Sequence, residues 1–278
     1  MVVDMFAKAW PLGLLALLST LEFAVPRRAA TERRGLRWPT NLAIGSLSSL
    51  LTLFPIAPVA LAIACADLHW GLLNHVSVPL PLTVAIAVVV LDLLIYAQHR
   101  LLHASGLLWR VHRVHHADVD LDATTGFRFH PIEALIGHVT LTVGIVILGL
   151  PAVGVAAYLA LSAAITILTH ANLRFPSAIE SYAQWLVVTP GLHAIHHSSR
   201  PVDADRNFAT VFSVWDRLGS TYRAASHGGR DTPPPGLAEF REPRYLTLPW
   251  TLALPFCALP SATVRLATER GEAARGRR

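Results

Sequence analysis

The chain is poor in charged residues and in cysteine. Charged residues make up 15% of its 278 residues and hydrophobic residues 53%, whereas roughly a quarter of a typical soluble domain is charged. A water-soluble fold needs more polar surface than this, so the composition predicts a membrane protein with a lipid-covered exterior. Cys65 and Cys257 form no CxxC pair, so we predict two small apolar residues and no disulfide framework.

Several enzyme motifs are also missing. The chain has no HExxH motif, no Glu-x-x-His pair and no glycine-rich dinucleotide fingerprint. These absences argue against a zincin-type hydrolase, a soluble carboxylate di-iron bundle and a built-in nicotinamide site. Lys and Arg exceed Asp and Glu by 23 to 18, but the basic residues lie in short clusters between apolar runs. That pattern is typical of membrane-flanking loops, so we expect no nucleic-acid partner.

The first apolar run, residues 9–25, sets the expected orientation in the membrane. One Asp and one Lys precede it, and five arginines follow it: Arg27, Arg28, Arg33, Arg34 and Arg37. A signal peptide would carry its basic residues in front, so the run is predicted to be a transmembrane helix. The positive-inside rule then places the N-terminus outside and the arginines in the cytoplasm.

Later apolar runs predict a helical membrane bundle. They cover residues 42–66, with bends at Pro55 and Pro58, and residues 82–96, 132–150 and 152–169. A short proline-rich stretch, residues 245–260, is expected to lie at the membrane interface, and the basic tail, residues 265–278, to be disordered. The predicted fold class is an all-α integral membrane protein with four to five transmembrane helices.

Nine of the fourteen histidines fall into four groups. The groups are HRLLH with His99 and His103, HRVHH with His112, His115 and His116, THAN with His170, and TPGLHAIHH with His193, His196 and His197. On a helix, positions three and four apart share a face, so imidazoles spaced this way can converge on one metal ion. His69, His75, His138 and His227 are assigned no role.

The number and the expected side of these histidines predict a centre with two metal ions. Counting crossings from the arginine-based orientation puts all nine histidines at the cytoplasmic end of the bundle. A structural zinc takes four ligands and a catalytic zinc three plus water. Nine imidazoles are therefore too many for one ion and suit two ions, each with an open position. Iron is the expected metal, and zinc is expected to replace it readily on purification.

The chain resembles the fatty acid hydroxylase/sterol desaturase superfamily of membrane di-iron proteins. The resemblance runs from Asp92 to Tyr222. It rests on the segments DLLIYAQHRLLH, LWRVHRVHH, RFHP with Glu133, HANLRFP, TPGLHAIHH and DRNFATVFSVWDRLGSTY. It implies a helical cytosolic cap over the membrane helices, two irons held by the histidine boxes, O₂ as oxidant, a lipid substrate and an external electron donor. Superfamily members act on fatty acyl chains, sterols, carotenoids, aldehydes and ether lipids, so the substrate stays open.

Three parts of the chain follow from these patterns. Residues 1–81 are predicted to form N-terminal transmembrane helices and loops, residues 82–225 the histidine-box di-iron domain, and residues 226–278 an interfacial segment and basic tail. Because no cofactor motif is present, the electrons are expected from a separate electron-transfer protein. Two alternatives stay open at this point: a membrane zinc hydrolase, and a metal transporter or sensor.

Four polar residues outside the boxes are expected to support the site. Asp92 lies seven residues before His99 in an apolar run and is expected to hydrogen-bond a ligand imidazole. His130 and Asn172 are expected beside the ligands, although either could itself bind metal. Arg128 is expected to bind a polar head group or to orient the cap. A last group is expected to stabilise the cap: Asn207, Trp215 and Asp216.

Overall fold

The protein is described by a computed structural model that covers residues 2–29, 34–52, 57–227 and 234–258. These residues form α-helices joined by short 3₁₀ turns and three isolated β-bridges, with no β-strand in the described ranges. The α-helices are α1 Val2–Ala24, α2 Arg34–Thr52, α3 Pro58–Asp67, α4 Leu80–Ala104, α5 Gly106–His116, α6 Pro131–Leu148, α7 Ala152–His170, α8 Ser177–Ala183, α9 Pro190–His196, α10 Pro201–Ala204, α11 Val214–Leu218 and α12 Leu248–Ala253. The 3₁₀ turns are Leu72–His75, Ala123–Phe127, Ala238–Phe240, Pro243–Leu246 and Leu254–Phe256.

Three of these helices, α4, α6 and α7, are long and apolar enough to cross a membrane. The apolar part of α1, Trp10–Ala24, is shorter. The prediction of an all-α chain with membrane helices is confirmed, and the count of four to five spans stays a prediction. The run predicted as one bent span over residues 42–66 is divided instead into α2 and α3, because Pro58 begins a new helix. Pro55 lies outside the described residues.

The membrane helices pack around a common apolar core. Leu91 of α4, Ile145 of α6 and Val155 of α7 are fully buried against one another's helices. At one end of the bundle, the turn between α6 and α7 needs Gly149, which has a positive φ of 63° and approaches Trp70 so closely that a Cβ would lie 2.7 Å from its carbonyl oxygen. The histidine boxes lie at the opposite end of α4 and α7.

The remaining described parts of residues 105–130 and 171–258 form a cap on that second end. Its base is a buried ion network, in which Arg37 of α2 donates to Asp118 Oδ1 and to Asp122 Oδ2, both at 2.6 Å. Burial alone would raise the pKa of Asp118, but the Arg37 guanidinium lowers it below its ordinary value. Arg37 thus joins the basic segment after α1 to the cap, whereas Arg33 lies outside the described residues.

The described part of the C-terminal stretch also belongs to the cap. Arg113 of α5 donates to the carbonyls of Leu254 and Cys257, and Arg110 donates to the carbonyl of Pro255. Leu254 is fully buried in an apolar cluster with Val114. The stretch predicted to lie at the membrane interface is therefore packed against α5 as far as residue 258, and the tail at 265–278 lies outside the described residues. Cys65 and Cys257 are both free thiols, and Cys65 is buried whereas Cys257 is partly exposed.

Candidate metal centre

All nine predicted histidines converge at the junction of the membrane bundle and the cap. Their ring nitrogens form two sets, each with its ligand atoms within 4.8 Å of one another. We call the larger set the five-histidine group: His99, His103, His112, His116 and His196. The smaller set is the four-histidine group: His115, His170, His193 and His197. None of the four histidines without a predicted role belongs to either group.

Helix geometry explains why each HxxHH box serves both groups. In α5, His112 and His116 are four residues apart and point to the five-histidine group, whereas His115 points to the other. On α9 the same spacing is used in the opposite sense, with His193 and His197 in the four-histidine group and His196 in the five-histidine group. Positions i+3 and i+4 lie on either side of the line through position i, so one box can straddle two neighbouring ions.

Backbone carbonyls set the proton position on three of the imidazoles. His99 Nδ1 donates to Phe208 O, His170 Nδ1 to Thr166 O and His196 Nδ1 to Arg206 O, each at 2.7 Å. A carbonyl only accepts, so in the neutral ring the proton is on Nδ1 and Nε2 carries a lone pair. The Nε2 atoms of His99 and His196 lie 3.1 Å apart. Two lone pairs facing each other at this distance repel unless a cation lies between them.

The distances between neighbouring Nε2 atoms fit a metal site with ligands at right angles. Within the five-histidine group, His112 Nε2 lies 3.0 Å from His99 Nε2 and 3.1 Å from His116 Nε2. Within the four-histidine group, His170 Nε2 lies 3.1 Å from His115 Nε2 and 2.9 Å from His193 Nε2. At metal–nitrogen distances near ~2.1 Å, ligands at 90° are about 3.0 Å apart and tetrahedral ligands about 3.4 Å. These shortest distances are close to the first value, and all ligand atoms of a group lie within 4.8 Å of one another.

The environment keeps these imidazoles neutral. Burial lowers the pKa of the α5 histidines and of the α9 box well below the ordinary imidazole value, and neighbouring imidazoles lower it further. Neutral imidazole is the form that binds metal, so the rings need not lose a proton to do so. The nine histidines therefore have the spacing that a two-ion centre requires, and the six of α5 and the α9 box are held in the neutral form that binds metal.

One supporting residue was not predicted. Glu133 Oε1 accepts a hydrogen bond of 2.6 Å from His112 Nδ1, and both side chains are buried. A carboxylate behind a ligand histidine orients the ring and raises its basicity. The signal in the sequence is Glu133 itself, in the first turn of a helix that begins at Pro131 directly after the histidine of RFHP.

The carboxylate predicted for that role, Asp92, lies elsewhere. Its Oδ1 accepts from Val211 N at 3.2 Å, and its Oδ2 accepts from Phe212 N at 3.0 Å and from Trp215 Nε1 at 2.8 Å. The prediction that Asp92 hydrogen-bonds an imidazole is therefore wrong. Asp92 attaches residues 211–215 of the cap to the middle of α4, which explains a buried carboxylate within an apolar helix.

Arg128, His130 and Asn172 are likewise structural. Arg128 is fully buried and donates to Val114 O, Asn41 Oδ1 and Tyr245 O, so it does not face a head group. His130 caps α6 by accepting from Ile132 N, and its Nε2 donates to Leu252 O. The Asn172 amide pairs with the backbone of Arg28. Each of these side chains uses its polar atoms to join cap segments to one another or to neighbouring parts of the chain. Buried backbone groups there need such partners.

A cavity of about 360 Å³ reaches both histidine groups. It is bounded by faces of α2, α4, α6 and α7, and the histidines at its inner end include His99 and His112 of one group and His115, His170 and His193 of the other. This volume lies within the range of ligand-binding cavities. A small organic molecule in this cavity could therefore lie next to both candidate metal positions.

Comparisons with known proteins agree with this site. The sequence model of the fatty acid hydroxylase family matches residues 84–221, about half of the chain. An ornithine lipid hydroxylase of Rhizobium tropici is 28% identical over 174 residues, or 62% of this chain and 50% of that protein. An alkylglycerol monooxygenase of Caenorhabditis elegans is 26% identical over 147 residues, or 51% and 27%. A Delta(7)-sterol 5(6)-desaturase of Aspergillus fumigatus is 26% identical over 230 residues, or 80% and 66%.

The chain thus spans about a quarter to two thirds of the length of these curated relatives. No solved structure matches it.

Proposed function

The chain belongs to the fatty acid hydroxylase family, and on this premise we propose that it is a membrane-bound di-iron oxygenase that hydroxylates or desaturates a lipid. The three relatives are named as a lipid hydroxylase, a monooxygenase and a sterol desaturase. These names share O₂-linked oxidation of an apolar molecule, which supports the reaction class. The substrate proposed is a lipid drawn from the bilayer.

The observation that carries the proposal is the contact between the Nε2 atoms of His99 and His196, 3.1 Å apart, with both Nδ1 protons held by carbonyls. Only a cation between them makes this arrangement favourable. The same interpretation accounts for the other Nε2 contacts in both groups. Five imidazoles would hold one ion and four the other, which leaves more open coordination at the four-histidine group.

Right-angle ligand edges favour iron over a tetrahedral zinc site. When bound, a pair of ferrous ions supplies the reductive activation of O₂ that an unactivated C–H bond requires. Hydroxylation converts R–H, O₂, two electrons and two protons into R–OH and water. Desaturation converts a –CH₂–CH₂– segment, O₂, two electrons and two protons into an alkene and two waters. The electrons would come from a separate electron-transfer protein.

The chain's own residues hold and shield the centre. Glu133 keeps the proton of His112 on Nδ1, and the carbonyls of Arg206 and Phe208 do the same for two other ligands. The cap covers the histidines from the aqueous side, since His112, His196 and His197 are at most 2% exposed. This burial limits the access of water to the reacting carbon.

We further propose that the histidines lie on the cytoplasmic side and the N-terminus outside. Arg37, from the basic segment that the positive-inside rule places in the cytoplasm, is buried in the base of the cap. Tyr182, Trp185 and Leu186 of the cap are 80%, 68% and 67% exposed. Aromatic residues exposed in this way are typical of a surface that rests at the membrane–water interface.

Metal analysis of protein reconstituted anaerobically with Fe(II) tests the proposal. We expect about two irons per chain in the wild type, reductant-dependent O₂ uptake with lipid present, and loss of about one iron in His115→Ala. His227→Ala, outside both groups, is the matched control and should keep both irons. Binding of zinc with ester hydrolysis and no O₂ uptake would support a zinc hydrolase instead. Metal flux across vesicles without any lipid change would support a transporter.

A further inference from the structure

The cavity beside the histidines is lined mostly by apolar surface, but two of its helices place hydroxyl side chains along it. On α2, its lining residues follow one helix face at i, i+3, i+4 and i+7: Gly45, Ser48, Ser49 and Thr52. On α7 it is lined by Ser162, Thr166 and Thr169 above His170. Hydrophobic side chains such as Ile95, Leu102 and Phe129 form other parts of the wall. The cavity is therefore amphiphilic, and its polar wall runs along α2 and α7.

Four of the six hydroxyl groups of this wall donate to backbone carbonyls and can therefore act mainly as acceptors. Ser48 Oγ donates to Phe129 O at 2.8 Å, Ser49 Oγ to Gly45 O at 2.8 Å and Thr52 Oγ1 to Ser49 O at 3.0 Å. Thr169 Oγ1 donates to Thr166 O at 3.2 Å. A hydroxyl has one proton and two lone pairs. Because each of these four protons is held by a backbone carbonyl, the oxygens present lone pairs to a ligand and can pair with a hydrogen-bond donor on it.

Two further acceptors line the same cavity without a partner. Glu133 is 5% exposed, and its Oε2 has no hydrogen-bond partner in the part of the chain that the structure describes. Gln98 Oε1, one residue before His99, is also buried and has no hydrogen-bond partner among the described residues. An unsatisfied buried oxygen costs more than a made hydrogen bond returns. An acyl chain in the cavity would leave both oxygens unpaired, whereas a ligand with O–H or N–H groups offers them partners.

Exposed apolar side chains lie beside the part of the cavity that α2 lines. Ser49 lies on the exposed side of α2, next to Leu50 and Leu51, which are 62% and 50% exposed. From Gly45 to Thr52 the wall runs for about 10 Å along the helix. This length holds a polar group and a few methylenes, and the exposed leucines flank the place where the remaining chain would stay in lipid.

We propose that the cavity takes up the polar end of its lipid, and that this end carries hydrogen-bond donors such as the hydroxyls of a glycerol or the N–H of an amide. Resting on the proposed oxygenase function, the inference places the oxidised carbon in or next to that polar group and not in the middle of the chain. The donors pair with the α2 and α7 hydroxyls and with the unpaired oxygens of Gln98 and Glu133.

Equilibrium binding of two lipids with the same chain tests this assignment. Full-length protein in nanodiscs is titrated without reductant with monopalmitoylglycerol, which has two free hydroxyls, and with methyl palmitate, which has no donor. We expect monopalmitoylglycerol to bind about tenfold more tightly, the difference that roughly one to two net hydrogen bonds provide. The double variant Ser49→Ala/Thr52→Val should lose most of this preference.

The control is Thr140→Val. The Thr140 hydroxyl also donates to its own helix, at 3.0 Å to Ile136 O, but Thr140 does not line the cavity. This variant should keep the tenfold preference, which separates a cavity effect from a general effect of removing helix hydroxyls. Equal binding of the two lipids by the wild type would overturn the proposal, as would an unchanged preference in the double variant.

Product analysis gives a second readout when the iron-loaded protein turns over. Tandem mass spectrometry should locate the new oxygen or double bond in the polar group or on the carbons next to it, and oxidation in mid-chain would overturn the proposal. The binding assay needs no turnover. If the protein lacks iron and consumes no O₂ but keeps its lipid preference, the oxygenase function fails and the ligand class stands. If the protein binds iron and consumes O₂ but shows no lipid preference, the ligand class fails and the oxygenase function stands.

Discussion

Removing the carboxylate from the hydrogen bond between Glu133 and His112 is the most direct test of how the protein tunes the candidate metal centre. The bond is 2.6 Å long, and the two side chains are 6% and 2% exposed. In Glu133→Gln, the amide oxygen can still accept from His112 Nδ1, so the ring keeps its place, but the side chain can no longer take a negative charge when metal binds. A charge-assisted hydrogen bond is about twice as strong as a neutral one. The substitution therefore weakens the hydrogen bond that orients His112 by about 1 kcal/mol.

The loss of charge also makes the His112 ring a poorer donor to metal. Substitutions behind a ligand histidine typically lower metal affinity about 10- to 100-fold, which corresponds to about 1.4–2.7 kcal/mol. Because His112 belongs to the five-histidine group, we expect one of two irons to bind this much more weakly and the other to bind as before. Anaerobic Fe(II) titration against a competing chelator measures both affinities.

The matched control is Glu242→Gln. Glu242 pairs with Arg244 on the surface, and its side chain is 63% exposed, so its loss should leave both affinities unchanged. If Glu133→Gln bound both irons as tightly as the wild type, the carboxylate would have no part in metal binding. An equal loss at both irons would contradict the division of the nine histidines into two groups.

Three further predictions concern the framework around the site. Asp92→Asn leaves one of the donors that converge on the carboxylate without an acceptor, so we expect a loss of about 1–3 kcal/mol in unfolding free energy and a lower Tm. Arg37→Met leaves Asp118 and Asp122 buried without their cation, which should cost about 3–5 kcal/mol, whereas Arg244→Met at an exposed pair should cost less than about 1 kcal/mol in the same thermal scan. Arg37 lowers the pKa of Asp118, so the stability from this pair is complete above the ordinary aspartate pKa and is lost as the pH falls through the pKa of the folded state. The difference in Tm between wild type and Asp118→Asn should therefore stay constant from pH 7 to about pH 4 and shrink below it. A difference that shrinks between pH 7 and pH 5 would contradict the lowered pKa.

The convergence of the histidines could be predicted from the sequence because it depends on local geometry. The spacing of His112, His115 and His116 fixes their directions around α5 before any tertiary contact forms. The division into groups of five and four follows from the same angles, but it needs the positions of four helices. That arrangement is set by packing, which one sequence without relatives does not provide.

The supporting carboxylate was mispredicted for a reason that helix geometry makes plain. Asp92 and His99 share a face of α4, but seven residues along a helix amount to about 10 Å, farther than an aspartate side chain reaches. Glu133 lies on a different helix and meets His112 because the start of α6 packs beside α5. A carboxylate that reaches a ligand from another element has no fixed sequence spacing, so periodicity cannot find it.

Arg128 was mispredicted because a charged residue near a site can serve the fold as well as a ligand. A guanidinium has five N–H donors, and Arg128 uses them on two backbone carbonyls and the side chains of Asn41 and Thr251. A cap built from short helices and loops contains many carbonyls without helical partners. The need for buried donors therefore explains Arg128 better than the need for a head-group ligand.

The segment from Asp205 to Tyr222 connects the fold to the chemistry of the metal centre without supplying a ligand. The carbonyls of Arg206 and Phe208 hold the Nδ1 protons of His196 and His99. Those carbonyls are positioned in turn by Asp216, which accepts from Phe208 N at 2.7 Å. Asn207 adds a second restraint, because its φ of 55° turns the chain between the two carbonyls while its amide donates to Leu192 O. Asn207 and Asp216, which were expected only to stabilise the cap, thus also set which imidazole nitrogens face the candidate metal positions.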